Sequence, residues 1–178
     1  MCIEIEAKLK VDSLPEIERK LTELGADFQA EQLQTDFLLD DANATLTTAD
    51  RCLRLRRQSV AGSERLFLTF KGAKEKSNFK KRQEIEIEII EAQSAQKLLS
   101  ALGYEKVLII KKKRRLWQLG RCEVALDQLP LLGGFVEIEG PNNEEIADVQ
   151  QRLGLAELPH IEKSYAQLTK EERNRRGK

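Results

Sequence analysis

The sequence contains few of the residues that most often act as catalysts on their own or hold soft metal ions. There is one histidine, His160, and the three cysteines, Cys2, Cys52 and Cys122, are odd in number and widely spaced. Zinc sites need closely spaced cysteine or histidine ligands, and a Ser or Cys nucleophile needs a partner base, so neither chemistry is indicated. A single histidine beside a proline is more often a packing residue than a catalyst. Any catalysis must therefore come from other groups.

The sequence also lacks a net charge, many aromatic residues and long apolar segments, which limits the partners and the location that we expect for the protein. The 30 basic and 30 acidic residues cancel, and aromatic residues make up only 5% of the chain. Nucleic-acid-binding proteins usually show a basic excess and aromatic stacking platforms, so we expect no nucleic acid partner. No apolar run approaches the ~20 residues that cross a bilayer, and the chain enters a charged strand without the apolar core of a signal peptide. We therefore expect a soluble protein of the reducing cytoplasm with no membrane partner.

Charge is what the sequence has in abundance, at 34% of the residues, and it alternates with apolar residues over strand-length segments. Successive side chains of a strand point to opposite faces, so each segment has one charged and one apolar face. Several strands that carry both signs of charge predict a sheet rolled around a charged interior, with helices covering its apolar outside. The charged alternates are Glu4, Glu6 and Lys8; Arg54 and Arg56; Arg82, Glu84, Glu86 and Glu88; and Glu137 and Glu139.

Three helices are predicted, each after an acidic strand and each ending in Leu-Gly. They span Ser13–Leu24, a segment capped near Ser94 that ends at Leu102, and Asn143–Leu153. Ser13 followed by Pro15 and Glu16 is typical of a capped helix start, and the glycine after each helix is a stop signal. Further strands are predicted at Thr35–Leu39, Cys52–Gln58, Arg65–Lys71, Val107–Gln118, Arg121–Asp127 and Phe135–Glu139, with hairpin turns at 61–63 and 119–121.

Two segments fall outside these elements. Residues 72–81 form a predicted mobile basic loop, and residues 169–178 form a charged helix end that frays. No linker and no shift in composition divides the chain, so we expect a single domain over residues 1–178.

Five carboxylates are candidate metal ligands. Two acids at alternate positions of one strand project the same way, and two such strands side by side would cluster their oxygens. Mg²⁺ and Mn²⁺ prefer oxygen ligands, which suits carboxylates shared with phosphate oxygens. A solvated strand face is the better interpretation for one such pair alone, but two pairs and a further acid favour a metal. The candidates are Glu4, Glu6, Asp127, Glu137 and Glu139.

Cations at alternate strand positions are candidates for binding a polyphosphate, because guanidinium forks and ammonium groups both bind phosphate. The alternative is that they neutralise interior glutamates, and that alternative is strongest for Arg82. In the basic run from residue 111 to residue 115, the spacing alone does not decide which alternates face inward. The candidates are Lys8, Arg54, Arg56, Lys71, Arg82, Lys112, Arg114 and Lys163.

With these residues in place, the chain resembles the CYTH family, also called the triphosphate tunnel metalloenzymes, over about residues 2 to 168. The resemblance favours Lys112 and Arg114 as the inward face of the basic strand. Phe37 stands where many relatives carry Tyr, which removes a hydroxyl that could help to orient a substrate. The matching motifs are Glu4-Ile-Glu6-Ala-Lys8, Thr35-Asp36-Phe37, Leu53-Arg54-Leu55-Arg56, Thr69-Phe-Lys71-Gly72, Arg82-Gln-Glu84-Ile-Glu86, Lys112-Lys-Arg114, Ala125-Leu-Asp127, Gly134-Phe-Val-Glu137-Ile-Glu139 and Lys163-Ser-Tyr165.

The resemblance implies an α+β fold in which an eight-stranded antiparallel β-barrel forms a triphosphate tunnel with helices packed on the outside. It also implies an enzyme that binds a nucleoside triphosphate or another triphosphate with Mg²⁺ or Mn²⁺. The motifs are most similar to those of class IV adenylyl cyclases, which convert ATP to cyclic AMP and pyrophosphate. By resemblance, the catalytic residues are the five candidate metal ligands and Lys8, and the eight candidate cations hold the triphosphate.

Several alternatives remain open. A triphosphatase would use the same groups to let water attack the terminal phosphorus of inorganic or thiamine triphosphate. A binding protein would retain a triphosphate or nucleotide without turnover, and a charged barrel would bind none. The physiological substrate, the preferred metal, the formation of a homodimer and the closing of residues 72–81 over a ligand are also undecided.

Overall fold

Eight strands and five helices make up the part of the chain that this computed structural model describes, residues 2–75 and 79–177. The strands are β1 (Cys2–Val11), β2 (Asp27–Asp40), β3 (Cys52–Val60), β4 (Ser63–Lys71), β5 (Lys80–Ile89), β6 (Glu105–Leu119), β7 (Cys122–Leu129) and β8 (Gly133–Glu139). The helices are α1 (Leu14–Glu23), α2 (Thr45–Thr48), α3 (Ala92–Ala101), α4 (Asn143–Arg152) and α5 (Tyr165–Arg176).

The strands close into one barrel in the order β1-β5-β4-β3-β2-β6-β7-β8, and every neighbouring pair is antiparallel. This confirms the predicted eight-stranded antiparallel barrel with helices outside. Closure leaves no strand edge unpaired, and an eight-stranded barrel has an interior wide enough for side chains and a small ligand. Most of the charged alternates therefore face one enclosed space, whereas Glu88 is exposed and pairs with Arg65.

The apolar alternates of the strands form the core outside the barrel, against the helices. Ile17 and Leu21 of α1 and Ile146 of α4 pack on the outward residues of β1, β7 and β8, and Leu99 of α3 packs on β2 and β3. Complete burial of each such side chain contributes about 1.5–3 kcal/mol. The hydrophobic driving force thus holds the charged faces inward. No helix among the described residues is long and apolar enough to span a bilayer.

Local signals place the helix ends largely as predicted. The Ser13 hydroxyl accepts a hydrogen bond from the backbone N–H of Glu16 at the start of α1. Gly25 and Gly154, which follow α1 and α4, adopt φ of +72° and +69°, a backbone conformation that glycine adopts without steric cost. The predicted cap of α3 is wrong, because Glu91 occupies the cap position and Ser94 lies inside the first turn.

Several predicted boundaries differ from the structure. Strand β2 starts at Asp27, and strand β5 starts at Lys80 within the predicted loop, so Lys80 and Lys81 are strand residues. The rest of that loop includes residues 76–78, which lie outside the described residues. The charged tail belongs to α5, which begins at Tyr165 and carries a capping box at Ser164. Helix α2 was not predicted from the sequence.

Candidate functional site

A cavity of about 590 Å³ runs inside the barrel, and every strand contributes to its lining. Its central part is almost wholly charged, because the inward alternates of all eight strands meet there. Acids and bases are interleaved around the circumference. They include Glu4 of β1, Asp36 of β2, Arg54 of β3, Lys71 of β4, Arg82 of β5, Lys112 of β6, Glu123 of β7 and Glu137 of β8.

Asp127 anchors one cluster of cations from beneath the cavity surface. The side chain of Arg114 donates to its two oxygens at 2.7 and 2.6 Å, and Lys112 donates at 2.8 Å. The hydroxyl of Tyr165, at the start of α5, donates to the same carboxylate at 3.0 Å. Burial opposes ionisation of Asp127, but the charges of Arg114 and Lys112 outweigh it and lower its pKa. Asp127 is thus an ionised anchor that fixes the direction of the two cations.

Asp36 holds a second pair of cations on the adjacent strands. Its carboxylate accepts two hydrogen bonds from the Arg56 guanidinium, at 2.6 and 2.8 Å, and lies 3.8 Å from Arg54. Burial raises the pKa of Asp36, but Arg54 and Arg56 together bring it well below its usual range. Arg54 also donates to the hydroxyl of Thr69 at 3.1 Å. A bidentate pair of this kind positions the guanidinium without flexibility.

The acids of β1 are paired with cations from the neighbouring strands. Lys71 lies 2.6 Å from Glu4, and Arg82 lies 3.3 Å from the other oxygen of Glu4. Lys80 donates a hydrogen bond to Glu6. Burial lowers the pKa of Lys80 to about 8, with help from neighbouring cations and against the charge of Glu6. The predicted pairing of Arg82 with an interior glutamate is therefore present.

The cavity becomes acidic towards the ends of β7 and β8. Glu123 and Glu139 are cross-strand neighbours, and Glu139 is also paired in register with Glu6. Among the described residues, neither Glu123 nor Glu139 has a cation within 4 Å. Burial and the carboxylates of Glu4 and Glu123 raise the pKa of Glu139 to about 7. Negative charge is thus in excess at this end.

The acidic end fits a hard divalent cation. Within residues 2–75 and 79–177, no three acidic, histidine or cysteine side chains already converge to hold a metal ion. The donors present are nevertheless all carboxylates, which Mg²⁺ and Mn²⁺ prefer. Burial and the neighbouring carboxylates, which raise the pKa of Glu139, disfavour its ionised form, and a bound divalent ion would favour that form. It remains a prediction that the metal ligands are Glu4, Glu6, Asp127, Glu137 and Glu139.

The other end of the cavity is bordered by apolar side chains. Leu38 packs with Leu108 and Ile110, at the ends of β2 and β6 that lie away from Glu123 and Glu139. Arg51 and Lys74 also line the cavity at this end, outside the apolar side chains. The first turn of α5, including Tyr165, completes this rim. The cavity therefore has an acidic end, a cationic centre and an apolar mouth.

Most of the predicted site residues meet in this cavity, and two do not. Asp127 is fully buried behind Arg114, as described above. Lys163 is exposed outside the barrel and pairs with Glu171 at 2.8 Å, because the inward residue of its motif is Tyr165. The residues that line the cavity as predicted are Glu4, Glu6, Lys8, Arg54, Arg56, Lys71, Arg82, Lys112, Arg114, Glu137 and Glu139.

Other residues of the site were not among the predicted ones. Asp36 and Thr69 stand at inward alternates of β2 and β4, which was the available signal, while Lys80 was hidden in the predicted loop. The preference for Lys112 and Arg114 over their neighbours agrees with the structure. Lys111 and Lys113 are exposed on the outer face.

A closed eight-stranded antiparallel tunnel with a lining of paired acids and bases defines the class of triphosphate tunnel proteins. The CYTH domain matches residues 2–165. The chain therefore belongs to the CYTH domain family, whose triphosphate tunnel proteins depend on a metal ion.

Named relatives and solved structures agree with this family. A Methanocaldococcus jannaschii protein named "Putative adenylate cyclase MJ0240" is 27% identical over 175 residues, covering 93% of this chain and 98% of that protein. The structure of the Pyrococcus horikoshii protein PH1819 superposes with a TM-score of 0.83 at 28% identity, covering 94% of this chain and 98% of the other. An adenylyl cyclase-like protein from Hippeastrum, described as having a dominant triphosphatase activity, has the same fold, with a TM-score of 0.74 at 16% identity and coverage of 94% and 95%.

Proposed function

We propose that the protein is a metal-dependent enzyme that acts on an organic triphosphate, and that its reaction is the conversion of ATP to cyclic AMP and pyrophosphate. The observation that carries this proposal is the run of cations at the centre of the cavity between an acidic end and an apolar mouth. In that reaction the ATP 3′-hydroxyl attacks the α-phosphorus and pyrophosphate leaves. Most of the catalysis of phosphoryl transfer is positioning and electrostatic stabilisation, which such a lining provides.

The cations would hold the β- and γ-phosphates. Arg56 and Arg114 are fixed by bidentate contacts to Asp36 and Asp127, so their remaining N–H groups are pre-oriented for a phosphate. Lys8, whose Nζ lies 3.2 Å from Oε1 of Glu137, would also bind a phosphate. Arg54, Lys71, Arg82 and Lys112 complete the set within the cavity.

The carboxylates would hold the divalent ion. Glu4, Glu6, Glu137 and Glu139 line the cavity, and Asp127 is buried behind Arg114. A bound Mg²⁺ or Mn²⁺ supplies neutralisation of phosphate charge and activation of the attacking oxygen. In this structure Glu4 is paired with Lys71 and Glu6 with Lys80. If these two lysines turned to bound phosphates, the two carboxylates would become free to bind the metal ion.

The apolar mouth supports an organic triphosphate over inorganic triphosphate. Phosphate oxygens gain nothing from Leu38, Leu108 and Ile110, whereas a nucleoside would bury its ring against them. Ligand pockets commonly combine apolar walls with a few polar groups in this way. The named relatives called adenylate cyclases agree with this preference.

A triphosphatase is the second candidate, because water attacking the γ-phosphorus would use the same cations and carboxylates. The Hippeastrum protein with dominant triphosphatase activity is the observation that favours it, at the level of the shared fold. Inorganic triphosphate and thiamine triphosphate are its candidate substrates. A non-catalytic nucleotide-binding protein is the third candidate; loss of a metal carboxylate would favour it, and the sequence retains all five candidates. A cytoplasmic location, where ATP is made and thiols stay reduced, completes the proposal.

Product analysis tests this proposal. The protein is incubated with Mg²⁺ or Mn²⁺ and, separately, with ATP, inorganic triphosphate and thiamine triphosphate, and all products are resolved by chromatography. We expect cyclic AMP and pyrophosphate from ATP. Orthophosphate without cyclic nucleotide would replace the cyclase by the triphosphatase. Tight binding with no product from any substrate would overturn both.

A variant of the mouth tests the preference for an organic substrate. Leu38→Asp places a charge beside Leu108 and Ile110 at the apolar rim, and we expect kcat/KM for ATP to fall at least about 10-fold while binding of inorganic triphosphate changes less. Leu33→Asp, at an exposed position on the outside of β2, is the matched control. An equal loss for both ligands would argue against a base subsite at this mouth.

A further inference from the structure

The charged lining of the cavity gives way to glutamine side chains on β2 and β3. The lining of β2 ends at Asp36 and that of β3 at Arg56. The next residues on the same inward faces are Gln34 and Gln58, because side chains two positions apart on a strand point the same way. They are opposite each other in the register of β2 and β3, and Gln32 follows Gln34 on the same face. We call these three residues the glutamine cluster.

The glutamine cluster is buried and hydrogen-bonded within itself. Nε2 of Gln34 donates to Oε1 of Gln32 at 2.7 Å and to Oε1 of Gln58 at 2.9 Å, which uses both of its protons. Gln34 and Gln32 are only 3% and 8% exposed, and Gln58 is half-buried. The cluster thus fills the barrel interior at the point where the cavity ends on this side.

Gln34 offers no hydrogen-bond donor to a phosphate. Among residues 2–75 and 79–177, its Oε1 has no hydrogen-bond partner, so the free atom of this amide is an acceptor. Phosphate oxygens are acceptors too. A phosphate pressed against Oε1 would therefore lose its hydration without gaining a hydrogen bond from Gln34.

The register partners of the glutamine cluster on β6 are cations that point away from it. Gln34 is opposite Lys112, and Gln32 is opposite Arg114. Both cations donate to Asp127, which lies on β7, the strand on the far side of β6. Favourable phosphate contacts on the side of β2 and β3 therefore end with the charged lining.

A bound nucleotide would be limited at its other end by the apolar mouth. In the proposed function the nucleoside lies against Leu38, Leu108 and Ile110. Leu38 and Gln34 are four residues apart on β2, which corresponds to about 13 Å at ~3.3 Å per residue. The phosphates must fit between these two levels, where Arg56 and the other cations would hold them. A fourth phosphate would displace the nucleoside from the mouth or press against the glutamine cluster.

We infer that Gln34 and Gln58 limit the organic substrate of this cavity to three phosphates, so that a nucleoside tetraphosphate binds more weakly than ATP. The inference rests on the proposed function, because it requires the nucleoside at the mouth. One more phosphate adds negative charge, which by itself strengthens the attraction to a cationic cavity. Weaker binding of the longer ligand would therefore have to come from the closed end and not from charge.

Titration calorimetry without metal, with ATP and adenosine 5′-tetraphosphate as ligands, tests the inference. For the unchanged protein we expect the dissociation constant of the tetraphosphate to be at least about 10-fold higher than that of ATP. Gln34→Ala with Gln58→Ala removes the closed end, and the two constants should then agree within about 3-fold, because the tetraphosphate binds more tightly. Gln58→Ala alone, at a half-buried position, should narrow the difference in part, and it remains a test if the melting temperature shows that the double variant is unfolded.

Gln150→Ala is the matched control, since Gln150 is a buried glutamine outside the barrel whose side chain donates to the backbone carbonyl of Leu155. It should lower the melting temperature but leave the ratio of the two dissociation constants unchanged. Equal constants in the unchanged protein would overturn the inference and leave the proposed function standing. So would an equal loss of affinity for both ligands in the Gln34 and Gln58 variants, which would show that these glutamines only support Arg56. A protein that binds neither ligand would overturn the proposed function, and this inference with it.

Discussion

Replacing Arg56 by alanine tests the cationic centre of the cavity most sharply. The substitution leaves the buried carboxylate of Asp36 with Arg54 at 3.8 Å in place of two guanidinium hydrogen bonds at 2.6 and 2.8 Å. Breaking one partner of a buried ion pair costs about 3–5 kcal/mol, and Arg54 brings the cost towards the lower value. We expect the melting temperature to fall by about 6–12 °C.

The same substitution should weaken triphosphate binding by a separate mechanism. Arg56 would offer a phosphate one or two charge-assisted hydrogen bonds, each worth about 1.5–3 kcal/mol. A loss of about 3 kcal/mol raises the dissociation constant roughly 100-fold. Arg121→Ala is the matched control, because Arg121 is an exposed arginine outside the cavity that pairs with Glu145 at 2.8 Å. It should change stability by less than about 1 kcal/mol and binding hardly at all.

A double variant separates the two effects. Adding Asp36→Asn to Arg56→Ala removes the unpaired buried carboxylate, so most of the lost melting temperature should return. Triphosphate binding, measured by calorimetry without metal, should stay at least about 10-fold weaker than in the unchanged protein. If binding recovered together with stability, Arg56 would be a structural residue only and the assignment of the cationic centre would be refuted.

Four further substitutions test other parts of the site. Glu6→Gln and Glu137→Gln should each lower metal-dependent turnover at least about 100-fold with an unchanged circular dichroism spectrum, and full activity in either would remove that residue from the metal ligands. Because the pKa of Glu139 is raised from 4.5 in the unfolded chain to about 7, the metal-free protein should lose stability as pH rises through this range. In EDTA, the melting temperature of Glu139→Gln should fall less with rising pH than that of the unchanged protein. The difference corresponds to less than about 1 kcal/mol of unfolding free energy after solvent screening. The same pH dependence in both proteins would contradict the acidic cluster. Tyr165→Phe removes the donor to Asp127 and should cost about 1 kcal/mol, or about 2–4 °C; a change near zero would show that this hydrogen bond contributes nothing.

The barrel and much of its lining could be predicted because a strand has a side-chain period of two. Alternating charges mark β1, β3, β5 and β8 directly, and the apolar alternates of β1, β3 and β8 then belong largely to the outer core, while Ile85 and Ile87 of β5 are exposed. Glu4, Glu6, Arg54 and Arg56 were placed in this way. The same alternation on several strands predicted that these residues share one enclosed interior, and the family resemblance supplied the number and direction of the strands.

Other features depend on contacts that the local sequence does not reveal. The first half of β2, with Asp27 and Gln29, has weak strand propensity and is held as a strand by pairing with β6. Lys80 looked like one lysine of a basic loop until its pairing with Glu6 placed it in the barrel. Whether Lys163 or Tyr165 faces inward depends on how α5 meets the barrel rim, which spacing cannot fix.

The central claim is that the cavity binds a triphosphate through its cations, and the melting temperature with inorganic triphosphate tests it most directly. A ligand at 100 times its dissociation constant stabilises the folded chain by about 2.7 kcal/mol. For a chain of 178 residues we expect a rise of about 5–11 °C, strongly reduced in Arg56→Ala with Asp36→Asn. No rise at millimolar triphosphate in the unchanged protein would mean that the interior cations and carboxylates only neutralise each other.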